Sequence, residues 1–207
     1  PWWRSVVFDK PIYSMPALLR DLYKMGRSAP DLFDAVLSGR VDGAFREKIL
    51  LAATAFNRCR YCAFVHAHWA LLNKVDPAEI KALLHQEENY AYDRRERVAL
   101  EFARHYAATR GEPDERQLAQ LRDYYGTQKA DDILAFLRMI FFANVAGNTF
   151  DSFLARLRGQ GAPEGHLLSE WLVFQVAAPI LLPVLAVLTL RRLIANEPEG
   201  IMAAVPV

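Results

Sequence analysis

Cysteine is scarce in this chain: Cys59 and Cys62 are the only two among 207 residues. A zinc site wants four ligands gathered from separate elements, whereas Cys59, Cys62, His66 and His68 fall on one expected helix, which disfavours a metal. A c-type haem attachment needs histidine directly after the second cysteine, where Ala63 stands. The strand and helix alternation around a thioredoxin-type Cys-X-X-Cys is missing as well. Charge of one sign is not in excess either, with 25 Lys and Arg against 24 Asp and Glu. No basic field therefore argues for nucleic acid. Internal repeats and low-complexity segments are absent, and no cationic segment followed by an apolar run opens the chain. With Pro1 read as following a removed initiator methionine, a cytosolic catalytic part is expected. That reducing compartment and the tight spacing disfavour a structural disulfide. Two buried thiols in a helical core, with no chemistry, remain the plain alternative.

What is present concentrates in Glu47 to His68, EKILLAATAFNRCRYCAFVHAH. Cys59 and Cys62 are spaced i, i+3 and His66 follows Cys62 at i+4, so on a helix the three share one stripe. His68 points to another side. Asn57-Arg58 marks a break between two helices, which lets Glu47 on the first face the thiols of the second. A cysteine of a Cys-X-X-Cys pair at a helix N-terminus gains thiolate stability from the unpaired N–H groups and the dipole, and Arg58 and Arg60 are expected to add to that field. His66 supplies a base near neutral pKa, and Glu47 a carboxylate to orient it. A sulfenic acid on one sulfur can condense with the other to a disulfide, so the set suits reversible two-electron redox chemistry.

The remaining sequence is expected to be helical scaffold. Ser14 caps a helix with Leu18, Leu19, Leu22 and Met25 on one face, stopped at Gly26, and a short helix follows from Asp31 to Leu37. Asp42 caps the Glu47 helix, with Phe45, Ile49, Ala52, Ala53 and Phe56 toward the core. Asp76-Pro77-Ala78-Glu79 is a helix start, and Asp93 opens a helix carrying Val98, Phe102 and Tyr106. Pro113 to Tyr125 is another, closed by Gly126. Thr127 to Leu157 is the longest, where Gly147 is expected to bend the axis. Asn144, Asn148 and Asp151 share a face there, as pocket or oligomer lining or as interhelical hydrogen bonding, the second being favoured. The apolar start, Pro1 to Tyr13, suits an extended arm or packing on a neighbouring subunit.

Glu47, Cys59-Arg-Tyr-Cys62 and His66 together resemble the signature of the alkyl hydroperoxidase D-like branch of the carboxymuconolactone decarboxylase family. The likeness continues through LLNKVDPAEIKAL, DRRERVALEFARHYA and FFANVAGNTFDSFLARL, covering roughly residues 15 to 158. It implies an all-α, alkyl hydroperoxidase D-like helical bundle that forms oligomers, with no cofactor or metal. It also implies a proton relay of Glu47 and His66, with Cys62 attacking peroxide and Cys59 resolving. Two positions depart from the family pattern: Tyr61 stands where the best-studied type has histidine, and Asn73-Lys74 replaces the usual glycine. The lactone decarboxylases of the family lack the cysteine pair.

Gly159, Gly161, Pro163 and Gly165 mark a linker, so the expected organisation is a helical domain at 1–158, a linker at 159–166 and an apolar segment at 167–207. Trp171 to Leu190 carries no charge over a length that as a helix just reaches across a bilayer's hydrocarbon core, with Trp171 and Arg191-Arg192 at its edges. Pro179 and Pro183 are tolerated in membrane spans. Three functions follow. The first is a thiol-dependent peroxidase or disulfide oxidoreductase, regenerated by a dithiol reductant protein. The second is an accessory subunit of a membrane complex, keeping the fold without the chemistry. The third is cofactorless decarboxylation of a lactone acid. A homo-oligomer or a membrane-complex subunit, membrane-associated through 171–190, is the expected assembly.

Overall fold

The computed structural model describes residues 8–87 and 90–195; the aromatic part of the N-terminal arm at 1–7 and the tail at 201–207 lie outside them. Among the described residues there are eight α-helices and no strand. They are α1 (Met15–Ser38), α2 (Gly43–Asn57), α3 (Arg60–Leu72), α4 (Pro77–Leu84), α5 (Arg94–Ala108), α6 (Glu115–Tyr125), α7 (Thr127–Leu157) and α8 (Leu167–Ala195). Most starts are set by a side chain that accepts an otherwise orphaned backbone N–H: Ser14, Asp42, Asp76, Asp93 and Asp114 each do so.

α2 is the central helix. It packs on α3, α4, α5 and α7, and Phe45, Ile49, Leu50, Leu51, Ala52 and Ala53 are all buried. Phe56, expected toward the core, is exposed instead in the last turn of this helix, where it lines a cavity. α7 is the second axis, packed on α1, α2, α6 and α8. A window of α7 is apolar enough to cross a membrane, yet it is 72% buried within the protein, as expected of a core helix.

The first helix differs from the expectation in two ways. It runs unbroken from Met15 to Ser38 through both Gly26 and Pro30. A glycine costs a helix only about 1 kcal/mol, and packing on α7 supplies more than that. Of the expected face, Leu18 is buried while Leu19 and Leu22 are exposed, and Asp21, Ser28 and Ala35 complete the inward side. The inward polar groups are satisfied, Asp21 by Tyr13 Oη at 3.2 Å and Arg20 at 2.8 Å, and Ser28 Oγ by Arg138 at 3.3 Å.

The expected linker at 159–166 separates two helices that pack on one another. In the first half of α8, Glu170 is fully buried. Its carboxylate accepts from Arg156 Nε at 2.6 Å, Arg156 Nη2 at 3.0 Å and Ser152 Oγ at 2.8 Å. Ser169 Oγ donates to the Tyr13 carbonyl at 3.0 Å, and the Phe174 ring stacks on Phe150 at 5.3 Å. The second half is different: Val184, Val187 and Leu190 are exposed, leaving an apolar helix without protein cover. By length and composition 167–184 is a candidate span, only 22% buried.

Candidate active site

The turn from α2 to α3 builds the site. Arg58 adopts a left-handed conformation, φ 56°, which ends α2 and reverses the chain. Its guanidinium is held outside by the Asp9 carboxylate at 2.8 Å and the Asp9 carbonyl at 2.7 Å. Asn148 of α7 donates from Nδ2 to the Asn57 carbonyl at 2.8 Å, satisfying a C-terminal orphan of α2. Cys59 then becomes the N-cap of α3, where its sulfur accepts the backbone N–H of Cys62 at 3.3 Å. The two sulfurs lie 2.8 Å apart as free thiols in hydrogen-bonding contact. Cys59 is 1% exposed and Cys62 7%.

Glu47 reaches this helix from α2. It is 3% exposed, and its Oε2 lies 2.7 Å from His66 Nδ1. In the tautomer with the proton on Nδ1, the imidazole donates to this carboxylate and Nε2 is left unprotonated. Arg46 holds the other carboxylate oxygen at 3.2 Å. Glu47 and His66 are thus brought together, as are Cys59 and Cys62. His66 shares the face of α3 with Cys62, one turn on, but among the described residues no hydrogen bond joins it to either sulfur. His68 lies elsewhere, buried with Nδ1 on the Phe64 carbonyl at 3.1 Å.

Two expectations about charge need revision. Arg58 and Arg60 do not present free charge to the sulfurs: the first is taken by Asp9, and the second by Asp151 and by Tyr61 Oη at 2.9 Å. The Cys62 thiol accordingly lies well above the ordinary 9.0, raised by its hydrogen bond with Cys59 and by burial. Tyr61, in the position of the missing histidine, donates to Asp151 at 3.3 Å and stacks edge-on to Phe150. Burial raises its hydroxyl as well, so it keeps its proton at neutral pH.

The polar face of α7 is interhelical hydrogen bonding, as favoured. Asn144 accepts from Thr54 Oγ1 at 3.1 Å, Asn148 caps α2, and Asp151 collects Arg60, Tyr61 and Lys10. Sequence reasoning missed Gly147. A Cβ there would lie 2.7 Å from Cys59 Sγ and 3.8 Å from Cys62 Sγ, so the absent side chain lets α7 close over the thiols. Gly147→Ala is expected to destabilise by about 1–3 kcal/mol through overpacking. Thermal unfolding together with the rate of Cys59–Cys62 oxidation checks it, and an unchanged wild-type profile in both would remove the contact from the account.

Among the described residues no group of three His, Cys, Asp or Glu side chains is placed to hold a metal. A cavity of about 630 Å³ lies at the α2–α3 junction, lined by Asn57 and Arg58 with Tyr13, Arg20 and Phe141, and neither sulfur is part of its wall. Residues 26–105 match the model of the Carboxymuconolactone decarboxylase family, a stretch that contains Glu47, Cys59, Cys62 and His66. No curated protein and no solved structure matches the chain.

Proposed function

Because residues 26–105 match the carboxymuconolactone decarboxylase family, we propose that the chain is a thiol-dependent peroxidase or disulfide oxidoreductase of the alkyl hydroperoxidase D-like kind. The observation that carries this reading is the pair of free sulfurs at 2.8 Å at the start of α3, the helix that also carries His66, itself paired with Glu47 of α2.

Cys62, the more exposed thiol, gives up its proton and attacks the outer oxygen of a hydroperoxide. The O–O bond breaks, an alcohol leaves with one proton, and Cys62 becomes a sulfenic acid. Cys59 attacks that sulfur, forming the S–S bond and expelling water. Two electrons have passed from the thiols to the peroxide, and an external dithiol restores them by exchange. His66 Nε2 is the proton carrier and Glu47 stabilises the imidazolium formed.

Because the Cys62 thiol is raised, little thiolate is present at neutral pH. The sign is therefore definite: oxidation should accelerate as pH rises, roughly tenfold per unit while the thiol remains mostly protonated. The test is peroxide consumption by the full chain with a small dithiol as reductant. Multiple turnovers, lost in Cys62→Ser, are expected. Cysteine-independent release of carbon dioxide from a lactone acid would instead favour decarboxylation.

The distal half of α8 supports a membrane-associated setting. From residue 179 to 195 it extends ~25 Å, short of a ~30 Å hydrocarbon core. It suits insertion into a bilayer or docking on an integral membrane partner. The accessory-subunit reading rests on the same helix, and a chain inert to peroxide while still bound to membranes would favour it.

A further inference from the structure

The cavity of about 630 Å³ at the α2–α3 junction has no part in the chemistry proposed above, since neither sulfur, nor Glu47, nor His66 lines it. Its volume falls within the ~300–1,000 Å³ of small-molecule sites. The last turns of α2 and α5, the first turns of α1 and the middle of α7 build it, with the arm at 8–13 and the loop at 162–164 completing the wall. The floor is apolar. Phe141 and Val145 are buried there, while Phe56 leaves 42% of its surface open. A large aromatic left open in a concave site lacks the group that would cover it.

The polar wall has more donors than acceptors to match them. Arg58 is paired with Asp9 and Lys10 with Asp151. Arg20 gives only Nε to Asp21, at 2.8 Å, which leaves both of its Nη groups unused. Arg110 has no hydrogen bond or ion pair among the described residues, and Asn57 Nδ2 is buried without an acceptor. Against these stands one unpaired carboxylate, Glu164. A pocket of about 20 Å³ adjoins the cavity, sharing Asp21, Arg110 and Phe141, and its wall adds Lys24 and Arg138. Lys24 is paired with Glu112, whereas Arg138 meets only the uncharged Ser28 Oγ, at 3.3 Å. The Arg110 end therefore gathers Arg20, Lys24, Arg110 and Arg138 around Asp21 and Glu112, an excess of positive charge.

We propose that this cavity binds an amphipathic monocarboxylate, its head on Arg110 at the cationic end and its aliphatic part over Phe56, Phe141 and Val145. A guanidinium without a carboxylate of its own presents the planar fork that a carboxylate matches with two parallel hydrogen bonds. Neither half of such a ligand suffices. The head alone makes an exposed ion pair, which contributes little against water, and the tail alone leaves the cationic end unmatched. The binding does not depend on the reactivity of the thiols.

Hexanoate is the probe, added to the full chain in a nonionic detergent, and the readout is phenylglyoxal modification of Arg110, located by peptide mapping. Exposed and unpaired, Arg110 should react readily. With a dissociation constant of ~1 mM or tighter, ~10 mM hexanoate should slow that reaction about 10-fold, and acetate or hexanol at the same concentration less than ~2-fold. Titration calorimetry supplies the second readout. Arg110→Gln and Phe56→Ala should each weaken hexanoate binding at least ~10-fold with the melting point unmoved, because both side chains are exposed. Detergent takes up hexanoate equally for every variant, so the comparison is free of it. A chain with Cys59→Ser and Cys62→Ser should bind as the wild type does, which keeps this test separate from the peroxidase reading. Unslowed modification of Arg110 overturns the proposal. So does acetate protecting as well as hexanoate, an adventitious ion only, or hexanol doing so, an apolar pocket without a head site. Hexanoate binding indifferent to Arg110→Gln overturns it equally.

Discussion

A chain ending at Gly165 should lose most of its thermal stability and expose apolar surface, rather than simply become a soluble domain without its tail. Removing α8 strips cover from Phe150 and Phe153, on which Phe174 rests at 5.3 and 4.8 Å. It also removes buried Val173 and leaves Arg156 and Ser152 without the fully buried Glu170. Uncovering Phe150 and Phe153 alone is worth about 3–6 kcal/mol at 1.5–3 kcal/mol per buried large side chain. That is comparable to the whole stability of a domain, about 5–15 kcal/mol. For a chain of this size it corresponds to a melting point lower by about 10–20 °C. A second truncation after Ala178 separates the two halves of the helix. It keeps Ser169, Glu170, Val173 and Phe174, so it should melt near the full chain while losing membrane affinity. If both truncations melt alike, α8 has no structural half.

Glu47→Gln should have the largest effect on chemistry that leaves the fold intact. The amide matches the carboxylate in shape and can still accept from His66 Nδ1, but it cannot stabilise an imidazolium. Proton transfer by a positioned base contributes about 10²–10⁴-fold, so oxidation of Cys62 by peroxide should slow by about that factor near neutral pH. The deficit should shrink at high pH, where solvent removes the thiol proton without help. This pH profile separates the relay from mere support, because a purely structural Glu47 would lower the melting point and leave the profile unmoved. Retention of the wild-type rate across the range would remove Glu47 from the mechanism.

Local features were legible in the sequence because they depend on spacing and capping. The stripe of Cys59, Cys62 and His66 follows from helical periodicity, and Asp42, Asp76 and Asp93 announce their helices by chemistry that acts within one turn. The break at Asn57-Arg58 was visible for the same reason. What stayed hidden depends on partners far along the chain. Arg60 is adjacent to the site in sequence, yet Asp151 on α7 takes its charge. Gly147 looked like a bend, and only the arrival of Cys59 beneath it explains the missing side chain. Gly26 argued locally for a break in α1, and tertiary packing on α7 overrode it. The uncharged run in α8 was evident, but that its first half is fastened to the domain depends on Glu170 meeting Arg156. Packing decides these points, and composition does not carry them.

The central claim is that Cys59 and Cys62 form one redox couple. The most direct measurement is the intact mass of the reduced full chain after one equivalent of hydroperoxide in detergent, with the bond located by peptide mapping. The account predicts rapid loss of two hydrogens and a Cys59–Cys62 disulfide. In Cys59→Ser the reaction should stop at one added oxygen on Cys62, and in Cys62→Ser it should not start. A wild-type chain that keeps its reduced mass would contradict the account, leaving the two sulfurs as buried packing.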